Sequence, residues 1–287
     1  MANNTGLALF NATIQNERTQ AYLKNVLGKK KDSFVTSLTS LVANNTLLQG
    51  CEPLTLMYSA IKATSLGLPF DPNLGMAYCI PYNNRKKGIQ EAQFQLGYKG
   101  TIQLALRSGQ FKRLNVTDVR EGEFGGIDLL TGDIKLNFIA DRESKPVIGY
   151  VAYFQLTNGF EKSLYWTKEQ CEKHAKRYSQ TYANHTDYIR NSSKWTTDFD
   201  AMAKKTVIKQ LLSKYAPMSV EMQQGIQADQ AVIRVDENGN ESLDYVDNSG
   251  NRSDFSDVAA EAVAEEIPAE AVKDEKEAGN GGGATQP

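Results

Sequence analysis

The chain has 287 residues, 40% apolar and 23% charged, which is ordinary globular composition with ample length for a core. No apolar run approaches the ~18 to 20 residues of a membrane span, and three scattered cysteines (Cys51, Cys79, Cys171) with two histidines (His174, His185) argue against a disulfide framework, a zinc knuckle or a histidine-based triad. The formal charge of −2 conceals a division: residues 1–222 carry 28 Lys+Arg against 19 Asp+Glu (+9), and residues 223–287 carry 4 against 15 (−11), so a basic body suited to a polyanion precedes an acidic tail.

The start, MANNTGLALFNATIQ, lacks the cationic opening and apolar core of a secretory signal, so residence in a cytoplasm is expected. Residues 16–27 show helical spacing through Tyr22, Leu23, Val26 and Leu27 and stop at Gly28. Lys29, Lys30 and Lys31 follow; they either touch phosphate or complement the helix dipole. A second helix is expected over residues 33–48 on Phe34, Leu38, Leu41 and Val42. A third starts at Pro53, carries Leu54, Met57, Tyr58 and Ile61 inward and ends near Gly67.

The pattern then changes to short strands. MAYCIPY and EAQFQLGY, joined by NNRKKGIQ, read as a hairpin with Arg85, Lys86 and Lys87 at its tip, either a reach into nucleic acid or a solvated turn. Next comes FQLGYKGTIQLALRSG, residues 94–109: a strand end, a glycine corner and a short helix closing at Gly109. Ile102, Ala105, Leu106 and Gly109 form its expected apolar stripe, and Lys99, Gln103 and Arg107 recur on another face. Lys99 and Arg107 stand roughly 12 Å apart along the axis, a spacing suited to separate phosphates and equally compatible with a solvated surface.

Strands are expected over residues 111–124, 134–139, 147–156 and 160–166, with Asn158-Gly159 turning the last two into a hairpin and VIGYVAYFQL covered on both faces. Lys112 and Arg113 decorate the first of these. Asp118, Glu121 and Glu123 raise a divalent-metal nuclease as a rival reading, but no third ligand stands at a recognisable spacing from the Glu121 and Glu123 pair, which surface and strand-pair charges explain better. Two helices return with capping-box signals, Thr167 with Gln170 and Thr197 with Asp200. On the first, Glu169–Lys173 and Glu172–Lys176 neutralise one another, and Cys171, His174, Ala175 and Tyr178 make a core stripe. On the second, Lys204, Lys205 and Lys209 follow an acidic first turn, Lys205 and Lys209 share a face, and no acid lies four residues from either of these two, giving a second candidate phosphate surface backed by Phe199, Met202, Ala203, Val207 and Leu211. Between them, residues 178–195 interleave tyrosines with Arg190 and Lys194; Tyr188 and Trp195 either stack bases or anchor the loop. From 227 the chain turns acidic and is expected to be mostly disordered, with DFSDVAAEAVAEEI able to form a helix on a partner.

Taken together, SLGLPFDPNLGMAYCIPY, LGYKGTIQLALRSGQF, DVREGEF, GYVAYFQLTNG and WTTDFDAMAKKTVIKQLLSKYAPMSVEMQ resemble the RecT family of phage and prophage single-strand annealing proteins, within the Red beta superfamily, over about residues 33–222. Where that family often has two adjacent basic residues before Ser-Gly, this chain has Leu106-Arg107, so only Arg107 carries over. The resemblance implies an α+β fold, an antiparallel twisted sheet packed by helices. It also implies an ATP-independent recombinase without a catalytic site that coats single-stranded DNA, anneals its complement, and assembles as a ring or helical filament in the bacterial host cell. A phage exonuclease and a host single-stranded-DNA-binding protein are its implied partners. No GxxxxGK[ST] loop occurs, consistent with the absence of a nucleotide cofactor; magnesium dependence stays open.

The domain expectation is a helical oligomerisation segment over 1–31, an annealing core over 32–226 and an acidic partner-binding tail over 227–287. The expected DNA-binding set is Lys99, Arg107, Lys112, Arg113, Lys204, Lys205, Lys209 and the tip Arg85, Lys86 and Lys87, with Tyr82 and Tyr98 as stacking or wall residues. A passive coating protein is the second alternative.

Overall fold

The computed structural model describes residues 4–84, 87–179, 181–236 and 239–245. All of them lie within one unit, Met1–Asn251; the second unit, Arg252–Pro287, falls outside them, as do Arg85, Lys86 and the expected tail helix. The fold is α+β with antiparallel sheets throughout.

Four helices open the chain: α1 (Asn4–Gln15), α2 (Glu17–Leu27), α3 (Lys31–Ala43) and α4 (Pro53–Ser65). α1 falls inside the segment 1–31 expected to be helical, although the spacing pattern above assigns an individual helix only from residue 16. Phe10 and Ile14, one turn apart, are buried with Leu23, Leu38, Val42, Leu56 and Met57 in a helical core. Pro53 takes the first position of α4, where its missing N–H costs nothing.

The hairpin of β1 (Ala77–Asn84) and β2 (Ile89–Leu96) lies against α4, and Thr55 Oγ1 accepts the Ala92 N–H at 2.9 Å. Next come α5 (Tyr98–Arg107), β3 (Phe111–Arg120), a small hairpin of β4 (Phe124–Ile127) and β5 (Ile134–Leu136), then β6 (Val147–Leu156) and β7 (Glu161–Thr167). The three-stranded sheet is ordered β3-β6-β7, so β6 is central as its nearly continuous apolar sequence suggests. Asn158 and Gly159 (φ 92°) close the β6–β7 turn. The β4–β5 hairpin stacks Phe124 on Tyr165 of β7 and leaves Leu129, Leu130 and Phe138 exposed.

α6 (Lys168–Tyr178) starts with the expected capping box, Thr167 with Gln170. Short helices α7 (Asp187–Ser192) and α8 (Lys194–Thr197) lead to α9 (Phe199–Tyr215), which packs across all three strands. The expected Thr197 cap of α9 is corrected: Asp198 occupies the N-cap and accepts from Ala201 N–H, while Asp200 accepts the Tyr150 hydroxyl at 2.5 Å. α10 (Val220–Ala228) bridges α5 and β2, and a last hairpin, β8 (Val232–Val235) with β9 (Glu241–Asp244), buries Val232 and Ile233 against α4 and β2. Ordered structure thus continues past 226; the apolar run AVIRV lies inside the acidic stretch and pays for its own packing.

Candidate nucleic-acid interface

α5 is placed by glycine. A Cβ on Gly97 would sit 2.1 Å from Gly75 O, and one on Gly100 would sit 2.1 Å from Met76 O, so the first turn of the helix lies directly on the backbone of residues 75–76. That approach sets the rotation of α5. Gly100, Thr101, Leu104 and Ala105 face inward, and Leu106 is 51% exposed, correcting the expected stripe of Ile102, Ala105, Leu106 and Gly109. Lys99 is exposed at the helix start, its stem running beside Gly75, and Tyr98 is half-buried, its hydroxyl raised in pKa by burial against a smaller opposing effect of Lys204.

Arg107 does something different. Its guanidinium donates to Leu66 O at 2.6 Å and Gly67 O at 2.7 Å, tying the end of α5 to the carbonyls that finish α4. No local signal announces this, because the acceptors lie about 40 residues upstream.

Lys112 and Arg113 follow on β3. The ladder to β6 shifts register between Phe111 and Arg113, a bulge that interrupts the alternation of the pleat, and both cations are exposed. Among the described residues neither they nor Lys99 meet a carboxylate within ion-pairing distance.

The α9 lysines are mostly committed to the fold. Lys204 Nζ lies 3.0 Å from Asp118 Oδ1, and Asp118 also receives Arg120 at 3.0 Å and Arg142 at 3.4 Å. Burial raises the Asp118 pKa, but the bonds from Lys204 and Arg120 outweigh it and hold the carboxyl at about 2. Lys209 pairs with Asp229 at 2.8 Å. Lys205 is half-buried and also partnered. Of the three acids behind the nuclease reading, Asp118 and Glu123 are both bound to Arg142, at 3.4 and 2.7 Å. Among the described residues no group of three or more His, Cys, Asp or Glu is arranged to hold a metal ion.

At the hairpin, Lys87 is exposed and 3.5 Å from Glu91, while Tyr82 is half-buried opposite Glu91 in the β1–β2 register. Glu91 itself is buried, binds Asn84 and Arg234, and is held below the usual carboxylate range by those partners against the effect of burial. β2 is therefore tied to the carboxyl-terminal hairpin through Glu91 and Arg234. Cys171 packs into the sheet interface, and its thiol is pushed up to about 12 by burial, as the core reading of that stripe requires.

No helix of the described residues is long and apolar enough to cross a membrane. A family model described as the RecT family matches residues 32–244, ending on the last residue of β9. An uncharacterized protein YqaK of Bacillus subtilis (strain 168) is 43% identical over 233 residues, 80% of this chain and 76% of that protein. Protein RecT of Escherichia coli (strain K12) is 30% identical over 185 residues, 64% of this chain and 65% of that protein.

Proposed function

The chain belongs to the RecT family, and from that premise we propose that it binds single-stranded DNA through backbone phosphates, assembles on it and pairs it with a complementary strand without ATP. Family membership supports a recombination-related single-strand annealing role; the contacts, the assembly and the partners are this reading's own. One observation carries the assignment of the site: Lys99, Lys112 and Arg113 stand exposed at the two ends of α5 without carboxylate partners among the described residues, while Arg107, though exposed, is tied to the carbonyls of Leu66 and Gly67, and Lys204 and Lys209 are paired with Asp118 and Asp229.

Ten residues of α5 span about 15 Å, so the two groups of cations address phosphates several nucleotides apart. Backbone contacts carry no sequence information, and annealing any sequence demands that. Correct pairing then supplies the stabilisation, about 1.4 kcal/mol per stacked step. The protein positions the strand and neutralises charge.

Subunit contacts are assigned to the outer surface of the amino-terminal region, where Leu9, Val26 and Leu47 are exposed. Because Phe10 and Ile14 are core residues, Leu9→Glu with Val26→Glu tests this better than a deletion; an unchanged assembly size on DNA would reject it. The acidic segment that follows the core is assigned to a protein partner, with a strand-supplying exonuclease and a host single-stranded-DNA-binding protein as the candidates.

The experiment mixes the protein with a fluorophore-labelled oligonucleotide and then its quencher-labelled complement, without nucleotide. Faster complement-specific quenching that Lys99→Ala/Lys112→Ala/Arg113→Ala abolishes is expected. Quenching no faster than protein-free DNA would indicate a coating protein, and loss of full-length strands a nuclease.

A further inference from the structure

Beyond α5, the chain has a second feature suited to nucleic acid. α6, the segment after it and the start of α9 enclose an open cleft of about 790 Å³, within the range of small-molecule sites. Its walls are aromatic: Trp195 meets Phe199 edge to face at 5.4 Å and Tyr182 at 6.3 Å. Its rim is cationic, with Lys168, Lys176 and Arg190. Lys176 is paired with Glu172 and Arg190 with Asp187. Lys168 has no carboxylate partner among the described residues; its ammonium lies 5.7 Å from the centre of the Phe199 ring.

We propose that this cleft is a nucleobase-stacking subsite for a single strand, with a base against Tyr182 and the Trp195–Phe199 wall and Lys168 on a flanking phosphate. Rings with a cation at their edge are the arrangement that holds unpaired bases regardless of sequence. Phe199 lies on α9, which packs against β3, the strand that carries Lys112 and Arg113. One base held per protomer leaves its neighbours free to be tested by a second strand. Trp195 is nearly buried while Tyr182 and Phe199 are half-buried, so the wall is fixed and those two rings are accessible. The inference rests on the single-strand reading above.

Both tryptophans of the chain, Trp166 and Trp195, lie in this cluster, bridged by His174. Trp166→Phe therefore leaves a fluorophore in the cleft wall. In the full chain carrying that change, a thymidine oligonucleotide is expected to quench Trp195, and an abasic oligonucleotide of equal length to bind without quenching. Tyr182→Ala is expected to weaken oligonucleotide binding about ten-fold without changing its salt slope, and Tyr182→Phe to restore it. Lys168→Ala is expected to reduce the slope.

Equal quenching by the abasic strand, or unchanged affinity in both Tyr182→Ala and Lys168→Ala while wild-type protein binds the oligonucleotide, would overturn the subsite and leave the function standing. Thymidine monophosphate that quenches as well as the oligonucleotide at equal base concentration would make the cleft a nucleotide pocket and also overturn it. Failure of the wild-type chain to bind any oligonucleotide would instead overturn the function itself.

Discussion

Lys209 Nζ sits 2.8 Å from Asp229 Oδ2, joining α9 to the end of α10, with the lysine side chain 12% exposed and the aspartate 2%. The other oxygen of Asp229 accepts the Leu96 N–H at 2.8 Å, so one carboxylate ties three elements together. A lysine that looks unneutralised along its own helix is thus a structural residue. Lys209→Ala strands a buried carboxylate and is expected to cost about 3 kcal/mol, read as a lower urea midpoint, while single-strand affinity of the folded protein stays within two- to three-fold of wild type, an order-of-magnitude bound for a residue outside the phosphate surface.

Arg107 is expected to behave in the same way. Losing its two bonds to Leu66 O and Gly67 O should cost roughly 1 to 3 kcal/mol in Arg107→Ala. Lysine cannot reproduce the two-pronged geometry, so Arg107→Lys should recover little. A steep loss of DNA affinity without loss of thermal stability would contradict this placement.

The contrast is the exposed set. Lys99→Ala, Lys112→Ala and Arg113→Ala are expected to leave the melting temperature nearly unchanged. Each should lower the magnitude of the slope of log affinity against log salt by about 0.7, the value for one single-strand phosphate. Titration of fluorescence anisotropy between low and moderate salt measures it directly.

Asp118 sets an acid limit. Its carboxyl is held at about 2 in the fold against an ordinary value of 3.8. A depressed carboxylate contributes stability that is present above 3.8 and lost as pH falls through about 2. Circular dichroism melts are therefore expected to drop across that window, and Asp118→Asn to flatten the drop while lowering stability at pH 7 by about 2 kcal/mol. A drop of unchanged size in the variant would place the acid sensitivity elsewhere.

The start of α9 distinguishes two neighbouring residues. Asp198→Ala removes the capping carboxylate and is expected to cost about 1 kcal/mol, whereas Thr197→Ala should be close to neutral. Equal effects would return the cap to Thr197.

Much of this protein was legible along the chain. Gly28 and Pro53 marked helix ends, Asn158-Gly159 marked a turn, and the nearly continuous apolar run of β6 identified the central strand. Glu169–Lys173 and Glu172–Lys176 pair as their four-residue spacing requires. Each of these is decided by neighbours within a few residues: dihedral preference, capping geometry, one helical turn.

The charges were not legible in that way. Whether a lysine faces solvent or a carboxylate depends on which acid the fold brings to it: Asp118 lies 86 positions before Lys204 and Asp229 20 after Lys209. The phase of α5 was equally out of reach, because the contact of Gly97 and Gly100 with the backbone of residues 75–76 turns the helix away from the stripe its own spacing suggests. Sequence alone determined many of the elements, the α+β class and the family; tertiary structure decided which cations remain for a ligand, because charge neutralisation acts through space while sequence patterns record only local periodicity.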